Sequence, residues 1–222
     1  MPESVYAGLG NAFAIVFDAP VDEDEARRLC VARRIDGVIS ASPGGDGADL
    51  TMILRNADGS RAEVSGNGLA CLGQAAVDSG AVTGPDVVID TDAGRRRVRI
   101  GDAVTVDMGE AVIKDGDDGA VFVDVGNPHL VFPAGDVGAL GRDHPDMNVE
   151  VIARRGDDAI DMVVHERGVG VTQACGTGAY ASAAAARNWG WVGDAVTVYQ
   201  PGGVAAVDLA ARTYTVKVTS CR

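Results

Sequence analysis

Two stretches of this chain put a small reactive side chain immediately before a glycine-rich turn and a run of small residues. They are "EVSGNGLACLGQ" (63–74), with Ser65, and "QACGTGAYASAA" (173–184), with Cys175. The start of a helix leaves backbone N–H groups without internal partners, and the helix dipole adds partial positive charge there. Glycines let a ligand approach that backbone closely, so each turn predicts a small anion-binding site. A thiol in such a place is expected to ionise more readily than its ordinary value near 8.5, whereas a serine hydroxyl does not ionise near neutral pH. A thiol in one turn and a second polar group in the other suggest proton transfer at a carbon. Covalent attack by Cys175 is the alternative, and it needs an orienting His or Asn beside the thiol. A single Gly-x-Gly before a helix is equally well an ordinary tight turn; two in matching contexts are more specific.

The elements that position these turns repeat. "GNAFAIVF" (10–17) matches "GNPHLVFP" (126–133) in its Gly-Asn opening and apolar tail, and "SGNG" matches "CGTG". Both pairs occur in the same order and in the same strand–turn–helix context, which argues for a duplicated domain. "NAFAIVFDA", "ADLTMILRNADGS", "VVIDT", "RRRVRI", "AVTVDMG", "MNVEVIA" and "AIDMVVHE" read as strands, and "AVFVDVGNPHLVFPA" as one strand-like run. "DEDEARRLCVARR" reads as a helix with acids in its first turn and arginines in its last. "DVGALG" predicts a short helix, and both glycine-turn stretches continue as helices. The polar "KDGDDG" (114–119) reads as a loop between a half spanning 1–115 and a half spanning 116–222.

Bulk composition bounds the class. The chain has 222 residues, 46% of them hydrophobic, in short runs broken by Gly, Asp and Pro, as in a soluble globular α/β or α+β protein. No run approaches a membrane span, and "MPESVYAGLG" lacks a basic region followed by an apolar core, so a cytoplasmic location is expected. A formal charge of −13 excludes the basic footprint of a nucleic-acid binder. "RRRVR" (95–99) reads as the solvated face of a strand. The four cysteines form no CxxC pair and no Cys/His cluster, so neither a zinc site nor a disulfide framework is expected. Cys30, Cys71 and Cys221 read as small packing residues, Cys221 at a frayed end.

The motifs "GLGNAF", "NADGSRAEVSGNG", "VDMGE", "VGNPH", "HPDMNVE", "ERGVGVTQACGTGA" and "PGG" together resemble diaminopimelate epimerases over nearly the whole chain. The resemblance implies an α+β fold of two β-rich, barrel-like halves, each wrapped around a central helix, with substrate in the cleft between them and strand exchange near the termini. It implies cofactor-independent interconversion of LL- and meso-2,6-diaminopimelate, on the route to lysine and peptidoglycan, by a base and an acid on opposite faces of the α-carbon. Carried onto this chain, Cys175 is one catalytic group, and Ser65 stands where the family has a second thiol. Asn11, Asp36, Asn56, Asn127, Asn148, Glu166 and Arg167 are implied to bind the substrate's amino and carboxylate groups. Gly66, Asn67, Gly176 and Thr177 present backbone N–H groups to the α-carboxylate, and His129 lies near the catalytic pair. The residue types suit these tasks: Asn both donates and accepts, and Arg grips a carboxylate with two parallel bonds. Structural readings stand beside them, with Asn56 starting a turn, Asn11 at a strand-end bulge, His129 a satisfied buried ring, and Glu166 paired with Arg167. No metal or cofactor is implied; a small amino-acid substrate is the expected partner, with a homodimer possible. Ser65 keeps two other readings open, a one-base isomerase or dehydratase and a non-catalytic amino-acid binder.

Overall fold

A computed structural model describes residues 4–221. The chain divides into two compact units, residues 1–107 with 216–222, and residues 108–215.

The first unit opens on a hairpin, β1 (Ser4–Gly8) and β2 (Asn11–Phe17), joined by Leu9 and Gly10, both at positive φ. That two-residue turn matches the twist of an antiparallel pair, which is why a glycine precedes Asn11. α1 (Glu23–Arg33) follows, its start capped by Asp22, which accepts the Glu25 N–H at 2.8 Å. Then come β3 (Gly37–Pro43), β4 (Leu50–Asn56) and the short β5 (Arg61–Ala62). α2 (Gly66–Asp78) leads to β6 (Asp86–Thr91), β7 (Gly94–Arg99) and β8 (Val104–Asp107). The second unit repeats this order. β9 (Val112–Asp115) is followed by β10 (Val121–Asp124), β11 (Pro128–Phe132), α3 (Val137–Asp143), β12 (Asn148–Arg154), β13 (Ala159–Glu166) and β14 (Gly170–Thr172). α4 (Gly176–Asn188), β15 (Ala195–Gln200), β16 (Gly203–Asp208) and β17 (Thr213–Val216) complete it. The last strand, β18 (Val218–Cys221), returns to the first unit and pairs antiparallel with β1.

Strand pairing repeats as well. β2 and β3 run parallel, as do β11 and β12; β4 and β6 run parallel, as do β13 and β15. The remaining neighbours, β1·β2, β3·β4 and β6·β7 in one unit and β10·β11, β12·β13 and β15·β16 in the other, are antiparallel. The register coincides: Phe13 opposes Gly37 where β2 meets β3, and His129 opposes Asn148 where β11 meets β12.

In each unit the strands pack around one helix. α2 packs on β1, β2, β3, β7, β8 and β18; α4 packs on β10, β11, β12, β13, β15 and β16. Both helices are therefore buried nearly all round rather than along one stripe, and their sequences show it. α4 buries every residue from Gly176 to Ala186, most of them alanines that let strands approach from several sides. α2 fills its barrel with Leu69 and Leu72, both fully buried. α1 and α3 lie outside, over satellite clusters built on Ala26 and Cys30 in one unit and on Phe132 and Val149 in the other.

Three sequence expectations differ from the structure, and one strand was not anticipated. "AVFVDVGNPHLVFPA" is two antiparallel strands, because Gly126 at φ 107 turns the chain between them. Lys114 and Asp115 lie in β9, paired with β10, rather than in a loop. Ser4–Gly8 forms a strand that the alternation of the N-terminus did not announce. Cys221 is exposed, and it is not frayed: it pairs with Val5.

Candidate active site

The site residues sit where each central helix begins. Ser65 caps α2 from an extended backbone (φ −140, ψ 126), and its Oγ accepts the Gly68 N–H at 3.1 Å. Cys175 caps α4 from nearly the same backbone (φ −137, ψ 122), and its Sγ accepts the Gly178 N–H at 3.3 Å. An oxygen or a sulfur thus serves the same capping geometry.

In the first unit, Asn67 is fully buried in the first turn of α2, and its Nδ2 donates to Asn11 Oδ1 at 2.6 Å. Asn11 begins β2 in regular pairing with Gly8, so it is a strand residue and not a bulge. Asp36, just before β3, is pinned twice to Ala12: its Oδ2 accepts the Ala12 N–H at 2.7 Å, and its own N–H donates to the Ala12 carbonyl at 2.9 Å. Asn56 ends β4 opposite Gly37, and its Nδ2 reaches Ser60 Oγ at 3.1 Å across the β4–β5 turn. The unit brings Ser65, Gly66, Asn67 and Asn11 together through the helix start, with Asp36 beside Asn11 in the chain fold. Asn56 is engaged in its own turn.

In the second unit the linkage is tighter. Thr177 Oγ1 lies 3.4 Å from Cys175 Sγ, and Asn127 Nδ2 donates to Thr177 Oγ1 at 3.3 Å. His129 Nε2 lies 3.1 Å from Asn127 Oδ1, and its Nδ1 lies 2.7 Å from Glu150 Oε1. Asn148 binds the Pro128 carbonyl through Nδ2 at 2.9 Å and accepts the Arg167 N–H on Oδ1 at 3.1 Å. Glu166 Oε1 accepts the Thr172 hydroxyl at 2.5 Å, closing the β13–β14 hairpin. The Cys175 backbone N–H is held by Gln200 Oε1 at 2.8 Å. Cys175, Gly176, Thr177, Asn127, His129, Asn148 and Arg167 are therefore joined at one end of the barrel.

The electrostatics of Cys175 reverse the expectation drawn from its position. Burial pushes the thiol well above its ordinary value, and the charges of Glu166 and Glu150 push the same way. Hydrogen bonds from Thr177 and Gly178 oppose this without overcoming it. The helix start was visible in sequence; the desolvation and the two carboxylates were not.

Glu150 and Gln200 are the residues sequence reasoning missed. Glu150 is fully buried in β12, within an apolar run, and a lone acid at an inward strand position was the available signal. Gln200 ends β15 just before "PGG" and carried no signal of its own. Among the described residues, no group of three or more His, Cys, Asp or Glu side chains could hold a metal ion, and no helix is long and apolar enough to cross a membrane.

Comparison with known proteins places this geometry. The sequence profile described as "Diaminopimelate epimerase" matches residues 3–114 and 141–220. Proteins named diaminopimelate epimerase include one from a Picosynechococcus species, 36% identical over 93% of this chain and 90% of its own length. Another, from Mycobacterium ulcerans, is 40% identical over 78% of this chain and 68% of its own length. Among solved structures, a hydroxyproline epimerase from Agrobacterium vitis has a TM-score of 0.74 at 18% identity, covering 99% of this chain and 90% of that one. A predicted epimerase from Pseudomonas aeruginosa has a TM-score of 0.74 at 15% identity, covering 99% and 97%. At those identities the likeness is one of fold.

Proposed function

This chain belongs to the diaminopimelate epimerase family, and from that we propose that it interconverts LL- and meso-2,6-diaminopimelate, in the synthesis of lysine and peptidoglycan precursors. The reaction removes the proton on an α-carbon and returns one to the opposite face. The observation that carries the reading is Cys175 at the start of α4, a buried thiol given a hydroxyl and a backbone N–H as partners. A thiol that loses its proton there takes the α-proton; the thiolate would be held by Thr177 Oγ1–H and Gly178 N–H. The substrate's α-carboxylate suits the backbone N–H groups of Gly66, Asn67, Gly176 and Thr177 at the helix starts. Asn11, Asp36, Asn56, Asn127, Asn148, Glu166 and Arg167 supply donors and acceptors matched to an amino acid's charged groups, with Arg167 the choice for a second carboxylate. The chemistry proposed uses the protein's own groups and takes place among the soluble enzymes of the cytoplasm.

Ser65 favours a second reading. Its hydroxyl is a poor base near neutral pH, so it returns a proton more readily than it takes one. Proton removal would then be efficient from one isomer only.

Incubation of each isomer in deuterium oxide separates the readings, with α-deuteration and isomer composition followed by mass spectrometry and chiral chromatography. The epimerase reading expects both isomers to acquire α-deuterium and to approach one common mixture. Exchange confined to one isomer, without interconversion, supports the one-base reading and overturns the epimerase. Binding of either isomer with no exchange leaves a binding protein.

A further inference from the structure

The two units are built on the same plan, and this makes one an internal control for the other. Where β11 meets β12, the second unit carries His129 and Glu150; at the matching register positions of β2 and β3 the first unit carries Phe13 and Ile39. Both plans fold around a buried helix. A histidine and a glutamate at these places are therefore not what the architecture requires.

They are also costly there. His129 and Glu150 are both 0% exposed, and among the described residues they are the only buried members of the Asp, Glu, Lys, Arg and His group. Glu150 Oε2 is buried without a hydrogen-bond partner. Burying such groups is unfavourable unless something compensates. The helix makes room for the carboxylate: a Cβ on Gly178 would lie 2.5 Å from Glu150 Oε1. The first unit's Gly68 faces only Ile39 Cδ1 at 3.3 Å from that side.

From Glu150 an unbroken series of contacts runs to the sulfur: Glu150 Oε1 to His129 Nδ1 at 2.7 Å, His129 Nε2 to Asn127 Oδ1 at 3.1 Å, Asn127 Nδ2 to Thr177 Oγ1 at 3.3 Å, and Thr177 Oγ1 to Cys175 Sγ at 3.4 Å. With Glu150 ionised, the donor inventory allows two complete settings of this series. With the Asn127 amide as placed, both ring N–H groups donate, to Glu150 and to Asn127. Asn127 then donates to Thr177, whose hydroxyl hydrogen is free to donate to sulfur, the setting that suits a thiolate. With the amide turned over, Asn127 donates to an unprotonated Nε2, Thr177 donates to Asn127, and the sulfur must donate its own hydrogen to Thr177, the setting that suits a thiol. A carboxylate against Nδ1 keeps a hydrogen on that nitrogen in both, so Nε2 becomes the atom whose proton selects between them.

We propose that Glu150 is a positioning residue: by holding the Nδ1–H of His129 it ties the charge of that ring, through Asn127 and Thr177, to the hydrogen bond that the Cys175 sulfur receives. When Sγ–H loses its proton and Nε2 gains one, charge is conserved and every group in the series stays satisfied. Besides Glu150, the charge of Glu166, at the end of β13, acts on the sulfur. This deepens the proposed role of Cys175, but its test does not depend on turnover.

The test follows two signals against pH in a Cys221→Ser background: alkylation of Cys175 by iodoacetamide, read by peptide mass spectrometry, and the ring nitrogens of His129, read by nitrogen-15 NMR. The chain has three histidines, so assignment by substituting His144 and His165 is practical. The parent is expected to keep hydrogen on Nδ1 throughout, and its alkylation profile to carry an inflection that coincides with a change in the His129 ring-nitrogen signals. Glu150→Gln is expected to remove that shared inflection and release the Nδ1–H preference. Thr177→Val is expected to remove the inflection while the Nδ1–H preference stays. If Glu150→Gln does not fold, the pair His129→Phe with Glu150→Ile, copied from the first unit, is measured for the same loss. A single-step parent profile, an Nε2–H ring in the neutral parent, or an inflection that survives these substitutions overturns the proposal; a change in melting temperature alone, with the profile intact, does so too.

Discussion

Ser65 and Cys175 occupy nearly superimposable capping conformations, and they differ in what a single atom can do with a proton. Replacing Ser65 with cysteine keeps the cap, since the second unit shows sulfur accepting the corresponding N–H at 3.3 Å. Positioned acid–base groups contribute roughly 10²–10⁴-fold to rate. Ser65→Cys is therefore expected to raise epimerisation at least tenfold, and Cys175→Ala to lower it by roughly 10²-fold or more, both read by deuterium uptake and chiral analysis. An unchanged rate in the first variant would remove Ser65 from the proton path. At this scale, the residues that sequence could reveal were those carried by glycine-rich motifs: Ser65, Cys175, Asn67, Thr177, Asn127 and His129. Glu150 was not legible in that way. It lies in "MNVEVIA", where nothing local says that its side chain meets a histidine 21 positions earlier in the chain. Strand pairing makes that contact, and pairing is a non-local property.

α2 and α4 show what an element must be to stand inside a barrel. Their sequences are rich in small and apolar residues through most of their length, and at Gly73 and Gly178 a close neighbour is the reason for a glycine. A Cβ on Gly73 would lie 2.6 Å from Val98 Cγ1, and Val98 is fully buried on β7. Alanine is favoured over glycine within a helix by about 1 kcal/mol, whereas overpacking a core costs about 1–3 kcal/mol. The clash is expected to win, so Gly73→Ala should lower the urea midpoint. Val98→Ala should lower it too, and the double variant should recover part of the loss because the new methyl occupies the space vacated. Additive losses would show that β7 yields instead. The helices themselves were legible, since capping residues and glycine turns mark their starts locally. The hairpin at Val121–Phe132 reads as one strand because apolar residues flank its turn on both sides, and the short polar break at Asp124 and Gly126–Asn127 is easily taken for the middle of a strand. β1 was missed because a short N-terminal strand gains its reason from β2 and β18, which lie beside it only in the folded unit.

At the scale of the whole molecule, a duplicated plan has been furnished unequally. The second unit holds a buried His–Glu pair and a thiol at its helix start, while the first holds apolar residues and a hydroxyl in the matching places. The first unit also buries proton-bearing groups that the proposed chemistry does not use, and these govern behaviour in base. Burial, helped by the charge of Asp36, pushes the Cys30 thiol up to about 11. Burial, then the hydrogen bond to Asp78 and that group's charge, pushes Tyr6 up to about 12. Burial raises Cys71 further still, and Cys175 is raised as well. For every one of these the folded state holds its proton more tightly than the unfolded chain does. Their stabilising effect is complete below the unfolded value, 9.0 for the Cys30 thiol, and is lost as pH climbs through the folded one. Between those two values the unfolded chain releases protons that the native state retains, so unfolding becomes progressively easier. A chain already at −13 also gains negative charge on the way. Urea unfolding at pH 8 and at pH 10.5 is expected to give a clearly lower midpoint at the higher pH. The Cys30→Val variant, which has no thiol to ionise at that position, is expected to lose on the order of 1 kcal/mol less than the parent over the same interval. Equal losses in parent and variant would show that Cys30 takes up no share of the alkaline transition and that the other buried groups or the net charge account for it.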